Sequence, residues 1–297
     1  MEKLNDIAIK IFADFPARFS KKEKTVFLEY AKQEFEAMGY ETMEQRSLLG
    51  GRNLVAGPPD ANILITAHYD TPGNNAWLSM PGSEKLGMAW AMILGFVIII
   101  AIWAGAFAIL PPGGPRLGLA FLILFVFWIK NKNNHNDNTS GVLGVFAAAE
   151  LASQEVEGTR LGFVLFDNEE KGLLGSSAFA KWRKKKYPNA EEKVINLDCI
   201  GLGEELLVVA EKKHELWSKL ADTMQAEGFD IQAKKSNILY MLSDHYGFRE
   251  GVTLLFCRRA SLTGGVYLPN IHSGKDTVCD LEKVHELSRA IVKFIGE

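Results

Sequence analysis

A run of 25 residues without a charge, Leu86 to Leu110, constrains this chain more than any other feature. As an α-helix rising about 1.5 Å per residue it would reach about 37 Å, enough to cross a hydrocarbon core of about 30 Å. Leu110-Pro111-Pro112-Gly113-Gly114-Pro115-Arg116 follows, a stretch that breaks a helix and predicts a loop. A second apolar run, Leu117 to Ile129, has 13 residues and would be about 20 Å long as a helix, short for a span. The two runs predict a helical hairpin over residues 86–130 that spans the bilayer or re-enters it. Leu119 to Ile129 is apolar on every side, which favours lipid as its surroundings over a soluble lid or an arm buried by a second copy in a homo-oligomer. Lys85 before the first run and Lys130 and Lys132 after the second keep both ends cytoplasmic, with Arg116 in the tip opposing this weakly. Trp90, Trp103 and Trp128 are candidate interfacial anchors.

Outside that segment the chain has a globular composition, long enough for one large α/β domain or two small ones. Of its 297 residues 47% are hydrophobic and 23% charged, and the apolar excess sits largely in the hairpin. A net charge of -3 gives no electrostatic case for nucleic acid, and Lys181, Arg183, Lys184, Lys185 and Lys186 read as a solvated helix face. Cys199, Cys257 and Cys279 form no CxxC pair, so free thiols are expected. The N-terminus shows no apolar core or cleavage site of a secretory signal. The chain is therefore expected at the cell membrane with its globular part on the cytoplasmic side.

Short apolar runs bounded by polar residues or glycine predict strands at 61–67, 161–166, 193–197, 206–209 and 252–256. Helical periodicity covers 4–15, 21–38, 142–154, about 173–186, 213–227 and 281–295, with Gly39 a natural stop and Thr139 and Ser140 candidate caps. Such alternation predicts an α/β fold, a mostly parallel central sheet covered by helices on both faces. Residues 1–85 and 131–297 would form one discontinuous domain, with the hydrophobic helical hairpin inserted.

Polar residues fall where such a sheet binds ligands, beyond the carboxyl ends of its strands. His68 and Asp70 follow the first strand, Asp167, Glu169 and Glu170 the second, and Asp198 ends the third. Each alone has a plainer explanation, as a buried histidine, a turn aspartate or a helix N-terminal acid. Three successive strands that end this way outweigh those explanations. The mixture of imidazole and carboxylate suits zinc, with a carboxylate able to bridge two ions.

The ordered set His68-Tyr69-Asp70, Asp137-Asn138-Thr139-Ser140-Gly141, Glu169-Glu170, Asn196-Leu197-Asp198, Ser243-Asp244-His245 with Phe248 and Gly251, and Ile271-His272-Ser273 with Asp276-Thr277 resembles the M28 zinc aminopeptidases and their amidohydrolase relatives. The resemblance extends over the chain apart from about residues 71–135. It implies two zinc ions, one held by His68 and Asp198 and the other by Glu170 and His272, with Asp137 bridging. Asp70 would orient the His68 imidazole, and Glu169 would be the general base of amide or peptide hydrolysis. Some relatives carry a tyrosine before the last histidine; Ile271 stands there, which leaves Tyr240, Tyr267 or His245 as substitutes. His245 reads equally as a helix cap or a pocket wall. His135 reads as a loop residue, and His214 and His285 as surface helix positions.

In soluble relatives a short loop joins the first motif to the bridging aspartate, whereas here the hairpin occupies that place. The site is therefore expected near the bilayer, acting on N-acyl amides or other lipid-like substrates, or else on ordinary soluble peptides. A silent membrane scaffold would show damaged ligand positions. A cyclising acyltransferase of related fold would need one metal.

Overall fold

The structure, a computed structural model, describes residues 1–49, 51–111, 113–126, 129–155, 161–235 and 241–296. Two helices open the chain, α1 (Glu2–Asp14) and α2 (Lys21–Ala37). Ser20 and Glu23 form a reciprocal capping box at the start of α2, which satisfies two backbone donors that a helix end leaves unpaired. Gly39 adopts the left-handed conformation at φ 89° and ends it. Strands β1 (Thr42–Ser47), β2 (Gly51–Ala56) and β3 (Ile63–His68) follow. The inserted segment holds α3 (Ala76–Ser79), α4 (Ser83–Leu86), α5 (Met88–Ile109) and α6 (Gly114–Val126). A wide turn at residues 135–140 leads into α7 (Gly141–Glu155), β4 (Leu161–Phe166), α8 (Leu174–Lys186), β5 (Lys193–Leu197), β6 (Glu205–Ala210) and α9 (Glu215–Ala226). The chain finishes with β7 (Ile231–Lys235), β8 (Glu250–Arg259), β9 (Val266–Tyr267) and α10 (Leu281–Gly296).

The described strands form one sheet in the order β1-β2-β4-β3-β5-β8-β6-β7, with β9 paired to β8. Its centre, β4-β3-β5-β8, is parallel, so these four strands share a carboxyl edge. Every residue of β4 is buried, as a strand covered on both faces must be. One face packs against α1, α2, α7, α9 and α10, through residues such as Ile11, Phe35, Phe146, Leu220 and Ile291. The other is covered by Phe179 of α8 over β2, β3, β4 and β5. Over β6 and β8 the covering residues are Met80, Met88 and Met92 of the inserted segment. The fold class expected from alternation is the one observed.

Several local expectations differ. The hairpin β1–β2 and the edge strand β7 carry polar residues, so no apolar run announces them. Strand β6 runs antiparallel to β8, a direction set by its partner rather than by its own residues. Helix α6 begins at Gly114, inside the expected loop, because Pro115 is tolerated in a first turn, where its missing N–H costs nothing. Arg116 then donates from Nε to the Leu110 carbonyl at 3.0 Å and from Nη2 to the Phe107 carbonyl at 2.9 Å, satisfying carbonyls that end α5. Thr139 and Ser140 do not cap α7; the Asn138 side chain accepts from Gly141 N–H at 3.0 Å instead. Residues 244–247 form turns, not a helix. Pro112, Trp128 and Tyr240 lie outside the described residues.

Candidate metal centre

The shared carboxyl edge brings the chemistry together. His68 is the last residue of β3, Asp198 follows β5, and Glu169 and Glu170 lie just beyond β4. Asp137 arrives from the wide turn before α7, and two asparagines bolt that turn to the loop after β5. Asn136 Oδ1 accepts from Gly201 N–H at 2.8 Å. Asn138 donates to the Leu197 carbonyl at 2.9 Å and accepts from Cys199 N–H at 3.1 Å. The Asp276 carboxylate takes the N–H groups of Asn136 and Asp137 at 2.8 and 2.9 Å.

Asp137 sits between two imidazoles. Its Oδ1 lies 3.6 Å from His68 Nε2 and its Oδ2 lies 3.2 Å from His272 Nε2. Asp198 Oδ1 is 3.8 Å from the same nitrogen of His68, and Glu170 Oε2 is 3.5 Å from that of His272. Asp198 is oriented by Ser243, whose hydroxyl donates to Oδ2 at 2.6 Å and accepts from Asn196 Nδ2 at 2.9 Å. His272 adopts φ 55°, and its carbonyl accepts the N–H groups of Asn75 and Ala76 at 3.0 and 3.1 Å, so the root of the insert holds this histidine. Asp70 does two things. Its main-chain carbonyl lies 3.0 Å from His68 Nδ1, while its carboxylate accepts the Glu169 N–H at 3.0 Å.

The electrostatics suit a bound cation. Burial would lower the pKa of His68, yet Glu169, Asp198 and Asp70 hold it well above its ordinary value, and Asp137 raises His272 against the same burial effect. Burial, with added repulsion from neighbouring carboxylates, pushes Glu169 and Glu170 well up. Glu170 Oε1 is buried with no hydrogen-bond partner among the described residues, as suits a ligand atom whose partner is an ion. His68, Asp137 and Glu170 present donor atoms close enough to share one, and these residues fit a divalent metal.

All six residues, His68, Asp137, Glu169, Glu170, Asp198 and His272, line one cavity of about 270 Å³. A second cavity of about 720 Å³ shares Glu170 and His272 with it and also meets Asp70, Lys24 and Lys171. Asp167 points elsewhere, to the buried Lys24 at 2.5 Å. His245 is buried against Thr253 Oγ1 at 2.7 Å. Neither it nor Tyr267 lines either of these cavities. His135 stacks on Phe12 with ring centroids 4.0 Å apart, and His214 caps α9 by accepting from Trp217 N–H at 3.2 Å. Arg18, fully buried, escaped the sequence reading because nothing local distinguishes it from a surface arginine.

An α/β sheet whose strand ends gather two histidines and four carboxylates defines the class, a peptidase-type hydrolase. Residues 129–295 match peptidase family M28, more than half of the chain, and the chain belongs to that family. Among solved structures it is similar to a leucine aminopeptidase precursor from Bacteroides thetaiotaomicron, at 16% identity and TM-score 0.66, over 98% of this chain and 95% of that one. A Zn-dependent exopeptidase from Parabacteroides distasonis gives 16% and 0.66, over 100% and 97%. Tannerella forsythia glutaminyl cyclase gives 16% and 0.69, over 100% and 98%. Identities this low establish the fold. No curated protein sequence matches the chain.

Proposed function

We propose that the protein is a membrane-associated hydrolase that holds two zinc ions and cleaves an amide or peptide bond, with a lipid-like or N-acyl compound as substrate. The carrying observation is that the two oxygens of Asp137 face different histidines, at 3.6 and 3.2 Å. Two ligands of one tetrahedral zinc, each about 2.0–2.1 Å from it, stand about 3.3 Å apart. His68 and Asp198 would hold one ion, Glu170 and His272 the other, and Asp137 would bridge. Bound zinc polarises a carbonyl and lowers the pKa of water. Glu169, whose backbone is held by the Asp70 carboxylate, accepts the proton and delivers it to the leaving amine.

Association with a bilayer is supported by α5, which has 22 residues and is 11% buried across its most apolar stretch. As a helix it is about 33 Å long. Trp90, Phe96, Ile100 and Phe107 are exposed along it, an apolar surface that water disfavours. Lys85 and Lys130 flank the insert and favour the cytoplasmic side for the catalytic part. Membership of a peptidase family favours peptides as the second substrate reading.

The test is a screen of aminoacyl amides, peptides and N-acyl amino acids with the full chain in liposomes, together with metal analysis. Glu169→Gln is expected to keep about two zinc ions per chain and to lose turnover by 10²–10⁴-fold, the usual worth of a general base. One ion per chain would overturn the dinuclear assignment. Cleavage confined to soluble peptides would remove the lipid-like substrate, and cleavage of no amide would remove the hydrolase.

A further inference from the structure

The apolar wall of the metal cavity is built jointly by the catalytic part and the insert. Met80, Met88 and Met92 line it from the inserted segment, together with Met241, Leu268 and Ile271, and all six belong to or pack against one apolar cluster. Met88 and Met92 are one turn apart on α5 and share a face. The four-residue step continues outward through Phe96 and Ile100, both exposed, so one stripe runs from the metal cavity along the surface of the hairpin. The cavity's 270 Å³ compares with about 150 Å³ for an apolar cavity that accepts benzene; it is larger than a leucine side chain needs. Methionine is unbranched and adapts its shape to what it contacts, so three from the insert suit a flexible chain of varying length. The neighbouring cavity, which meets this one at Glu170 and His272, offers Lys171, Thr71, Asn75 and Ser79.

We infer that the methionine-lined cavity is a chain-measuring subsite. It takes an unbranched acyl chain on the carbonyl side of the scissile bond, and the insert's methionines set the length accepted. The polar group on the leaving amine, a carboxylate in an N-acyl amino acid, enters the second cavity beside Lys171. This rests on the hydrolase reading of the same centre, which it makes specific.

The experiment measures kcat/KM for N-acyl amino acids of increasing chain length, below their micellar concentrations, with the full chain in liposomes. Each buried methylene should raise kcat/KM about fourfold, equivalent to about 0.8 kcal/mol, until the methionine-lined part of the cavity is filled. Met92→Trp should move that plateau to shorter chains and cut the ratio of ten-carbon to four-carbon substrate at least tenfold. Met80→Ala should move it to longer ones. Zinc content reports whether each variant keeps its site, and if Met92→Trp loses zinc, Met80→Ala decides. A flat profile in an enzyme that cleaves short acyl amides overturns the subsite and leaves the hydrolase standing. A rising profile that neither variant moves also overturns it. Cleavage of no amide at all overturns the hydrolase reading itself.

Discussion

Arg18 shows how much of the centre depends on single residues far from it in the chain. Its guanidinium is fully buried and donates from Nε to the Tyr69 carbonyl at 2.5 Å, from Nη1 to the Phe15 carbonyl at 3.0 Å and from Nη2 to Thr139 Oγ1 at 2.9 Å. It thereby ties the residues after His68 to the turn carrying Asp137, across the whole insert. Burial lowers its pKa to about 10, so it stays protonated and offsets part of the acidic excess nearby. Lys24 does the same from α2, with Asp167 at 2.5 Å and Asn168 at 2.8 Å. His245 carries a pH prediction. Burial lowers its pKa from 6.5 to about 4, so folding favours the neutral ring. Between those values the unfolded chain binds the extra proton, and stability is lost as pH falls below about 6.5. The loss from this group should be about 2 kcal/mol between pH 7.5 and 5. Melting temperatures of wild type and His245→Gln at both pH values measure it; equal acid sensitivity in the two proteins would rule it out.

At the scale of elements, the insert is joined to the site rather than hung from it. Its two legs meet in a bridge between Gly73 and Lys130. Asn131 and Asn133 donate to the carbonyls of Ser273 and Gly274 at 2.9 and 2.6 Å, next to His272. Helix α5 lies against the chain at α3 through Gly95, where a Cβ would fall 2.6 Å from the Leu78 carbonyl oxygen and 2.7 Å from that of Ser79. Backbone cannot yield as a side chain end can, so Gly95→Ala should destabilise by about 1–3 kcal/mol and displace Met80. Gly105, on the same helix, has none of the described residues within 4 Å of such a Cβ. There the helix preference for alanine acts alone, and Gly105→Ala should be neutral or stabilising by up to about 1 kcal/mol. Thermal unfolding of both variants in the same lipid compares the signs. Destabilisation of the two by equal amounts would show that Gly95 plays no packing role.

At the scale of the whole molecule, the apolar surface of α5 and α6 has to be covered. The full chain should float with liposomes and stay with them at high salt, because apolar burial, unlike surface charge attraction, is not screened. A chain that remains in the aqueous fraction as a soluble dimer would favour the arm reading instead. Part of the centre was legible beforehand for a physical reason, since strand ends are marked by local hydropathy and parallel neighbours must place their carboxyl ends together. His68, Asp198 and the Glu169-Glu170 pair needed no more than that, whereas Asp137 and His272 end no strand and were reached only through the resemblance to the M28 family. The uncharged run and the stretch that breaks it likewise announced two apolar helices, α5 and α6. Their joining to the catalytic part was not legible. The polar strands β1 and β7 carry no hydropathic signal, and the reversal of β6 depends on β8. Arg18 and Lys24 are charged residues on an ordinary amphipathic pair of helices until the fold closes over them. By itself the sequence determined the buried strands, the amphipathic helices, the uncharged run and the acids that end neighbouring strands, since those follow from periodicity and hydropathy along the chain. Only the tertiary structure decided that the hairpin's first turn, through Met88 and Met92, becomes a wall of the metal cavity, because that contact joins residues distant in sequence and depends on the packing geometry of the sheet face they cover.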